Sequence, residues 1–267
     1  MGLWSFYLLR IELPTARELG EQILSLAQNT QDSSLLLEAH RVLGASSYWL
    51  GEFALARTHL EQAIALYDPQ QHSSHRFLYW DDPGLVSLSY AAMTLWHLGY
   101  PDQALRRSRE ALALVRDLSY PFSQATVLSL AAICHQYRRE ESITQAQAEE
   151  AITLSTEHGF PLWEAMGTTL RGWALAKQGQ GEEGIAQIRQ GLADWQATGI
   201  ELARPYFFAL LAEALEKKRQ PEEGLAALAE ALALVDKMGG SCNEAELYRL
   251  KGELSLKSEV RSPKSEV

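Results

Sequence analysis

The residues of this chain best equipped for chemistry are its seven histidines and its paired carboxylates. His72, His75, Asp81 and Asp82 fall in one stretch, DPQQHSSHRFLYWDDP, and have the composition of a metal site. A His-x-x-His outside a helix, however, does not hold two imidazole nitrogens in the geometry a tetrahedral ion demands, and the stretch reads instead as a solvated loop. Phe77, Leu78, Tyr79 and Trp80 within it either tuck onto the protein body or wait for a partner; tucking is the preferred reading. Glu140/Glu141, Glu149/Glu150 and Glu182/Glu183 fall at helix starts or on outer faces, where carboxylates favour the helix dipole or solvent. His40, His59, His97, His135 and His158 adjoin no nucleophile that a base could activate. No metal ligand, cofactor-binding residue or catalytic residue is assigned. The chain is expected to be no enzyme and to need no cofactor, a helical enzyme with an unrecognised site being the remote alternative.

The elements that position these residues are organised by a 40-residue internal repeat. Ala111, Ala151, Gly191 and Ala231 stand 40 apart, as do Ala92, Ala132, Gly172, Ala212 and Gly252. A step of 48 instead of 40 leads back to Gly44 and Ala63, as if one loop had gained eight residues. Two interleaved series of small residues at one period imply near-identical units stacked so closely that larger side chains are excluded. Chains of this kind generally bind rather than transform.

Apolar residues recur at three and four, never at two, so the units are helical. Pro121 and Pro161 suit the first turn of a unit's first helix, Pro101 and Pro221 that of its second. Gly51, Gly99 and Gly179 fall on the tight turn between them. The expected helix pairs are 33–50 with 52–67, 84–98 with 101–118, 121–137 with 140–158, 161–177 with 182–198, and 204–218 with 221–238. Segments 3–11 and 15–28 read as a degenerate pair, and 243–256 as a first helix without its partner. The expectation is an all-α, right-handed solenoid over residues 1–256, of about six to seven helix-turn-helix units with a long loop at 68–83. The polar, self-repeating tail 257–267 should be disordered.

Within a unit, Gly44, Gly51, Ala56 and Ala63 lie at offsets 0, 7, 12 and 19; Ala92, Gly99, Ala104 and Ala111 repeat them, as do Gly172, Gly179, Gly184 and Gly191. This pattern resembles the tetratricopeptide repeat, with a unit longer than the usual 34 residues and no terminal proline. The strings Gly99-Tyr-Pro-Asp-Gln-Ala-Leu105 and Ala245-Glu-Leu-Tyr-Arg-Leu-Lys-Gly-Glu-Leu254, with segment 4–22, resemble the carboxy-terminal repeat region of large bacterial signalling ATPases. There, a class III nucleotide cyclase or protein kinase domain and then an ATPase domain precede the repeats. This chain carries no Gly-x-x-x-x-Gly-Lys-Ser/Thr phosphate loop, so no catalytic residue carries over.

The resemblance implies that first helices line a concave face, with positions −6, −3, +1 and +4 from the central small residue pointing into a groove. The candidate binding surface is Arg41, Tyr48, Ser89, Met93, Trp96, Gln136, Met166, Trp173, Tyr206 and Glu213. Large amphipathic aromatics anchor interfaces and methionine adapts to varied shapes. The competing reading, in which these aromatics simply pack between helices, stays open. Repeats that clamp a terminal carboxylate place Lys and Asn at set groove positions. Here the −3 series reads Arg41, Ser89, Ser129, Thr169, Ala209 and the +1 series holds no Asn, so that clamp is absent.

Composition narrows the partners. A formal net charge of −10 without a basic block repels phosphate backbones, so no nucleic acid is expected. No run is long enough to span a bilayer, and the apolar start lacks a basic leader and a cleavage site, so no membrane is expected and the cytoplasm is the default. Cys134 and Cys242 read as free thiols in a reducing compartment. The expected function is a non-catalytic interaction or regulatory module that takes a protein or peptide in its groove, the alternative being a sensor for a small effector. Ala245, Leu247, Leu250 and Leu254 form an apolar side with no helix to follow, a surface expected to self-associate or dock on another domain.

Overall fold

Helices begin where the chain supplies a residue that needs no donor partner. Pro83, Pro101, Pro121, Pro161 and Pro221 each open a helix, where a missing N–H forfeits no intrahelical bond. Asp32 and Asp82 cap theirs through Oδ1, which accepts from the backbone N–H groups two and three residues on, at 2.9–3.1 Å. The structure, a computed structural model, describes residues 2–72, 81–118 and 120–261. Among the described residues there are helices and no strand. They are α1 (Gly2–Leu9), α2 (Leu13–Thr30), α3 (Ser33–Trp49), α4 (Phe53–Leu66), the short α5 (Pro69–His72), α6 (Pro83–His97), α7 (Pro101–Leu118), α8 (Pro121–Tyr137), α9 (Glu141–His158), α10 (Pro161–Lys177), α11 (Gly181–Ala197), α12 (Arg204–Lys217), α13 (Pro221–Met238) and α14 (Glu244–Arg261). None is long and apolar enough to cross a membrane.

The turn joining the two helices of each pair carries one left-handed residue. These are Ile11, Gly51, Gly99, Arg139, Gly179 and Arg219, with φ between +60° and +98°. They keep the 40-residue period with its single step of 48, which puts α1 and α2 in register with the later pairs, α1 having eight residues. Among the described residues, six helix pairs and the closing helix α14 make up the solenoid. The two arginines hold a conformation that costs an L side chain about 1–2 kcal/mol.

Outer helices bury a single stripe. In α7 it is Ala104, Ser108, Ala111 and Val115; 40 residues on, α9 buries Thr144, Ala148, Ala151 and Ser155; α11 and α13 repeat the same positions. The small members admit the neighbouring backbone. A methyl group on Gly184 would lie 2.5 Å from the Gly172 carbonyl oxygen, and one on Gly191 2.7 Å from that of Ala165. Ala132, fully buried on α8, is held to the same limit, whereas Ala146 on α9 faces out. Ala132→Leu is expected to cost about 1–3 kcal/mol through overpacking and Ala146→Leu close to nothing; equal melting temperatures would contradict this register.

Inner helices are buried nearly all round, as α3 shows from Leu37 to Trp49. A helix apolar on every side needs cover on every side, and the solenoid supplies it by curling until its ends meet. The Glu201 N–H donates to the Leu9 carbonyl at 3.0 Å and the Cys242 N–H to that of Trp49 at 3.2 Å. One hydrophobic core then runs from Trp4 to Leu254. The first units thus meet the last ones, which divides the groove expected from the sequence.

The C-terminal end differs from expectation for a related reason. Leu247, Leu250 and Leu254 of α14 are buried against α12 and α13, while Ala245, the fourth residue of the expected apolar side, is exposed. Arg249 of the same helix is bonded to Glu246 and Glu253 at 2.6 Å, while Tyr248 and Leu256 are exposed. The helix continues past residue 256 to Arg261; residues 262–267 lie outside the described residues.

Candidate functional site

Curling leaves two unfilled spaces inside the solenoid. The Trp49–Cys242 backbone contact parts them, since Cys242 lines the first and Trp49 the second.

The first cavity holds about 450 Å³. Its floor is a ladder of inner-helix aromatics. The Trp96 ring stacks on Tyr137 with centroids 6.1 Å apart, Tyr137 meets Tyr206 edge-on, and the Tyr206 hydroxyl donates to Gln136 Oε1 at 2.9 Å. Tyr137 also shares a 3.2 Å hydrogen bond with Tyr48. The charged wall centres on Glu213. Burial alone would raise its pKa, but ion pairs with Arg139 and Lys177 outweigh that and hold the carboxyl below its usual range. Its other oxygen accepts the Trp173 indole N–H at 2.9 Å. Arg139 reaches this place because its left-handed backbone turns the side chain inward, over the Trp173 ring at 5.9 Å and toward Glu246 at 3.5 Å. His97 stacks on Phe53 at 4.3 Å, with its Nε2 buried and without a hydrogen-bond partner.

The second cavity holds about 350 Å³ between α1, the inner helices and the turn before α12. Trp4, Trp49, Phe122, Trp163, Met166 and Trp195 supply most of its wall. Arg41 sits over the Trp4 ring at 5.3 Å and bonds Glu38 at 2.7 Å, both nearly sealed from solvent. Asp81 accepts from the Thr126 hydroxyl at 3.1 Å, and burial pushes its carboxyl up to about 7.

Of the ten residues assigned from the sequence, Trp96, Gln136, Tyr206 and Glu213 line the first cavity, and Arg41 and Met166 the second. Tyr48, Ser89, Met93 and Trp173 line neither and are buried, Tyr48 at 1% exposure and Trp173 at 0%. Sequence reasoning missed Tyr137 and Arg139. Tyr137 is one position past the counted groove site, and Arg139 stands where neighbouring units have the turn glycine; that replacement is the signal that could have found it.

Part of the histidine loop falls among the described residues. There His72 and Asp82 are buried, not solvated as expected: His72 Nδ1 accepts from the Asp68 N–H at 3.0 Å, and Asp82 Oδ2 accepts from Tyr67 at 2.8 Å. His75 and the aromatic run 77–80 lie outside the described residues. Among the described residues no three His, Cys, Asp or Glu gather as metal ligands would.

Three imidazoles make the fold acid-sensitive. Burial holds His97 down to about 4, and burial with the nearby His59 does the same for His40, whose Nδ1 lies 2.9 Å from that of His59. Burial lowers His59 as well. Between the unfolded value of 6.5 and about 4, the unfolded chain binds protons at these sites that the folded chain refuses, so stability falls with pH across that window. Asp81 opposes this, because its raised folded pKa retains a proton that the unfolded chain releases. Three groups outweigh one. Melting temperature should drop from pH 7 to pH 4.5, and more steeply in Asp81→Asn; a flat profile would contradict these assignments.

No protein-family model matches the sequence, and no curated protein matches it. Solved structures do match in shape. A Rap protein complexed with Competence and Sporulation Factor superposes with a TM-score of 0.64 at 13% identity, over 95% of this chain and 74% of that one. A signal transduction ATPase with numerous domains and a tetratricopeptide repeat sensor, from Pyrococcus horikoshii, gives 0.61 at 15% identity over 96% of this chain; the match spans only 35% of that protein. A thermophilic tetratricopeptide-repeat protein of Thermus thermophilus gives 0.52 at 24% identity, over 82% of this chain and 99% of that one. Helix pairs at a fixed period, turn residues in register and these superpositions agree: the chain has the fold of the tetratricopeptide-repeat proteins.

Proposed function

We propose that this chain is a non-catalytic regulatory module that binds a protein or peptide segment in its first cavity, as the repeat part of a cytoplasmic signalling ATPase or nucleotide cyclase. The observation that carries the reading is the cavity's makeup. It joins an aromatic ladder, Trp96, Tyr137 and Tyr206, to a set of oriented charges, Arg139, Glu213, Glu246 and Arg249. Aromatic rings give a peptide apolar anchorage at low entropic cost, and paired charges at a wet rim give it register. No nucleophile, base and oxyanion donors converge at either cavity, which supports a binding role over catalysis. The structural neighbours agree in kind: one is described as a signal transduction ATPase with a tetratricopeptide repeat sensor and one as complexed with a factor.

Panning a random peptide library against the full chain, with Trp96→Ala and Arg139→Ala as counter-selection, tests the reading. Peptides that bind the parent chain and lose tenfold or more in affinity for both variants, while both still melt cooperatively, are expected. Selected peptides indifferent to both substitutions would sink it.

A further inference from the structure

The second cavity is a cleft open to solvent between α1, the inner helices and the turn before α12. At about 350 Å³ it falls at the lower end of ligand pockets. The wall residues Trp4, Trp49, Phe122, Trp163, Met166 and Trp195 offer flat aromatic faces.

The polar groups restrict the guest further. Arg41 is neutralised by Glu38 at 2.7 Å, and Asp81 is engaged by Thr126. An anion would face Asp81 and a cation would face Arg41, whose charge Glu38 already compensates, so either would be poorly compensated there.

We infer that this second cavity is a binding site for a small, uncharged, mainly aromatic molecule. It is separate from the peptide cavity, from which the Trp49–Cys242 contact divides it. The two sites can therefore fail independently. Seated between α1 and the turn before α12, the guest touches the closing contact of Leu9 with Glu201 and so tightens the ring.

Three probes of one shape and different charge test this on the full chain: 2-acetylnaphthalene, 2-naphthoate and 2-naphthylmethylamine, followed by indole fluorescence and by melting. The neutral ketone is expected to quench fluorescence saturably and raise the melting temperature, with the two charged probes at least tenfold weaker. Met166→Trp, which fills the cavity, should abolish ketone binding, and Trp96→Ala in the other cavity should leave it intact. Should Met166→Trp fail to fold, Val86→Phe narrows the same space. Equal binding of all three probes, no saturable binding of the ketone, or binding lost in Trp96→Ala but kept in the filled variant would each overturn the inference. So would ketone binding that arises only after residues 77–80 are replaced by Gly and Ser, since the chain itself would then be the occupant.

Discussion

Trp173→Ala is expected to destabilise the fold by about 3–5 kcal/mol, the largest effect of any single truncation here. The side chain is fully buried, its indole N–H is held by Glu213 at 2.9 Å, and Arg139 lies across its face. Removing it empties a space at the centre of the ring and leaves Glu213 without one of its three partners. Trp96 holds another of the groove-facing positions in another unit, yet it is only half-buried and stacks on Tyr137 alone among the described rings. Trp96→Ala should therefore keep most of the melting temperature and lose about 2 kcal/mol or more of peptide binding. Chemical denaturation of both variants decides the matter; equal losses of stability would make Trp96 as much a core residue as Trp173.

The second large effect contrasts two helical glycines of the repeat pattern, Gly184 and Gly252, that sit in different surroundings. Gly184→Ala should cost about 1–3 kcal/mol, because the new methyl meets the Gly172 carbonyl and the Ala176 N–H at 2.5–2.6 Å and both are backbone. Gly252, in the same register as Gly172, stands on the open side of α14, where an added methyl would meet nothing within 4 Å. Gly252→Ala should instead stabilise by about 1 kcal/mol, the helix propensity alone. Thermal melts of the pair should move in opposite directions; a loss in both would mean that α14 packs against something further.

The helix pairs were legible because backbone contact leaves its mark on single residues. Where α10 meets α11 only Gly172, Gly184 and Gly191 fit, so the period survives as a row of small side chains. Gly252 shows the limit of that signal: a small residue can keep the register after the neighbour that demanded it is gone. Ring closure was not legible. It depends on a small rotation per repeat summed over six units, and no single residue between Leu9 and Glu201 announces that the two will bond. Tyr48 and Trp173 were read as facing a groove, whereas Tyr48 packs against Tyr90, His97 and Tyr137, and Trp173 against Arg139 and Glu213 of the neighbouring units. Arg139 was missed because its importance lies in a backbone conformation, φ +60°, that only the missing turn glycine hinted at.

The central claim, that the first cavity receives a peptide, is tested most directly by resonance mapping. Backbone amides of the isotope-labelled chain would be followed during titration with a peptide selected on it. The amides of Gln136, Tyr137, Arg139, Tyr206 and Asn243 are expected to shift, with those of the outer helices α7 and α9 unmoved. Shifts confined to the outer helices, with the cavity amides silent at saturation, would contradict the account.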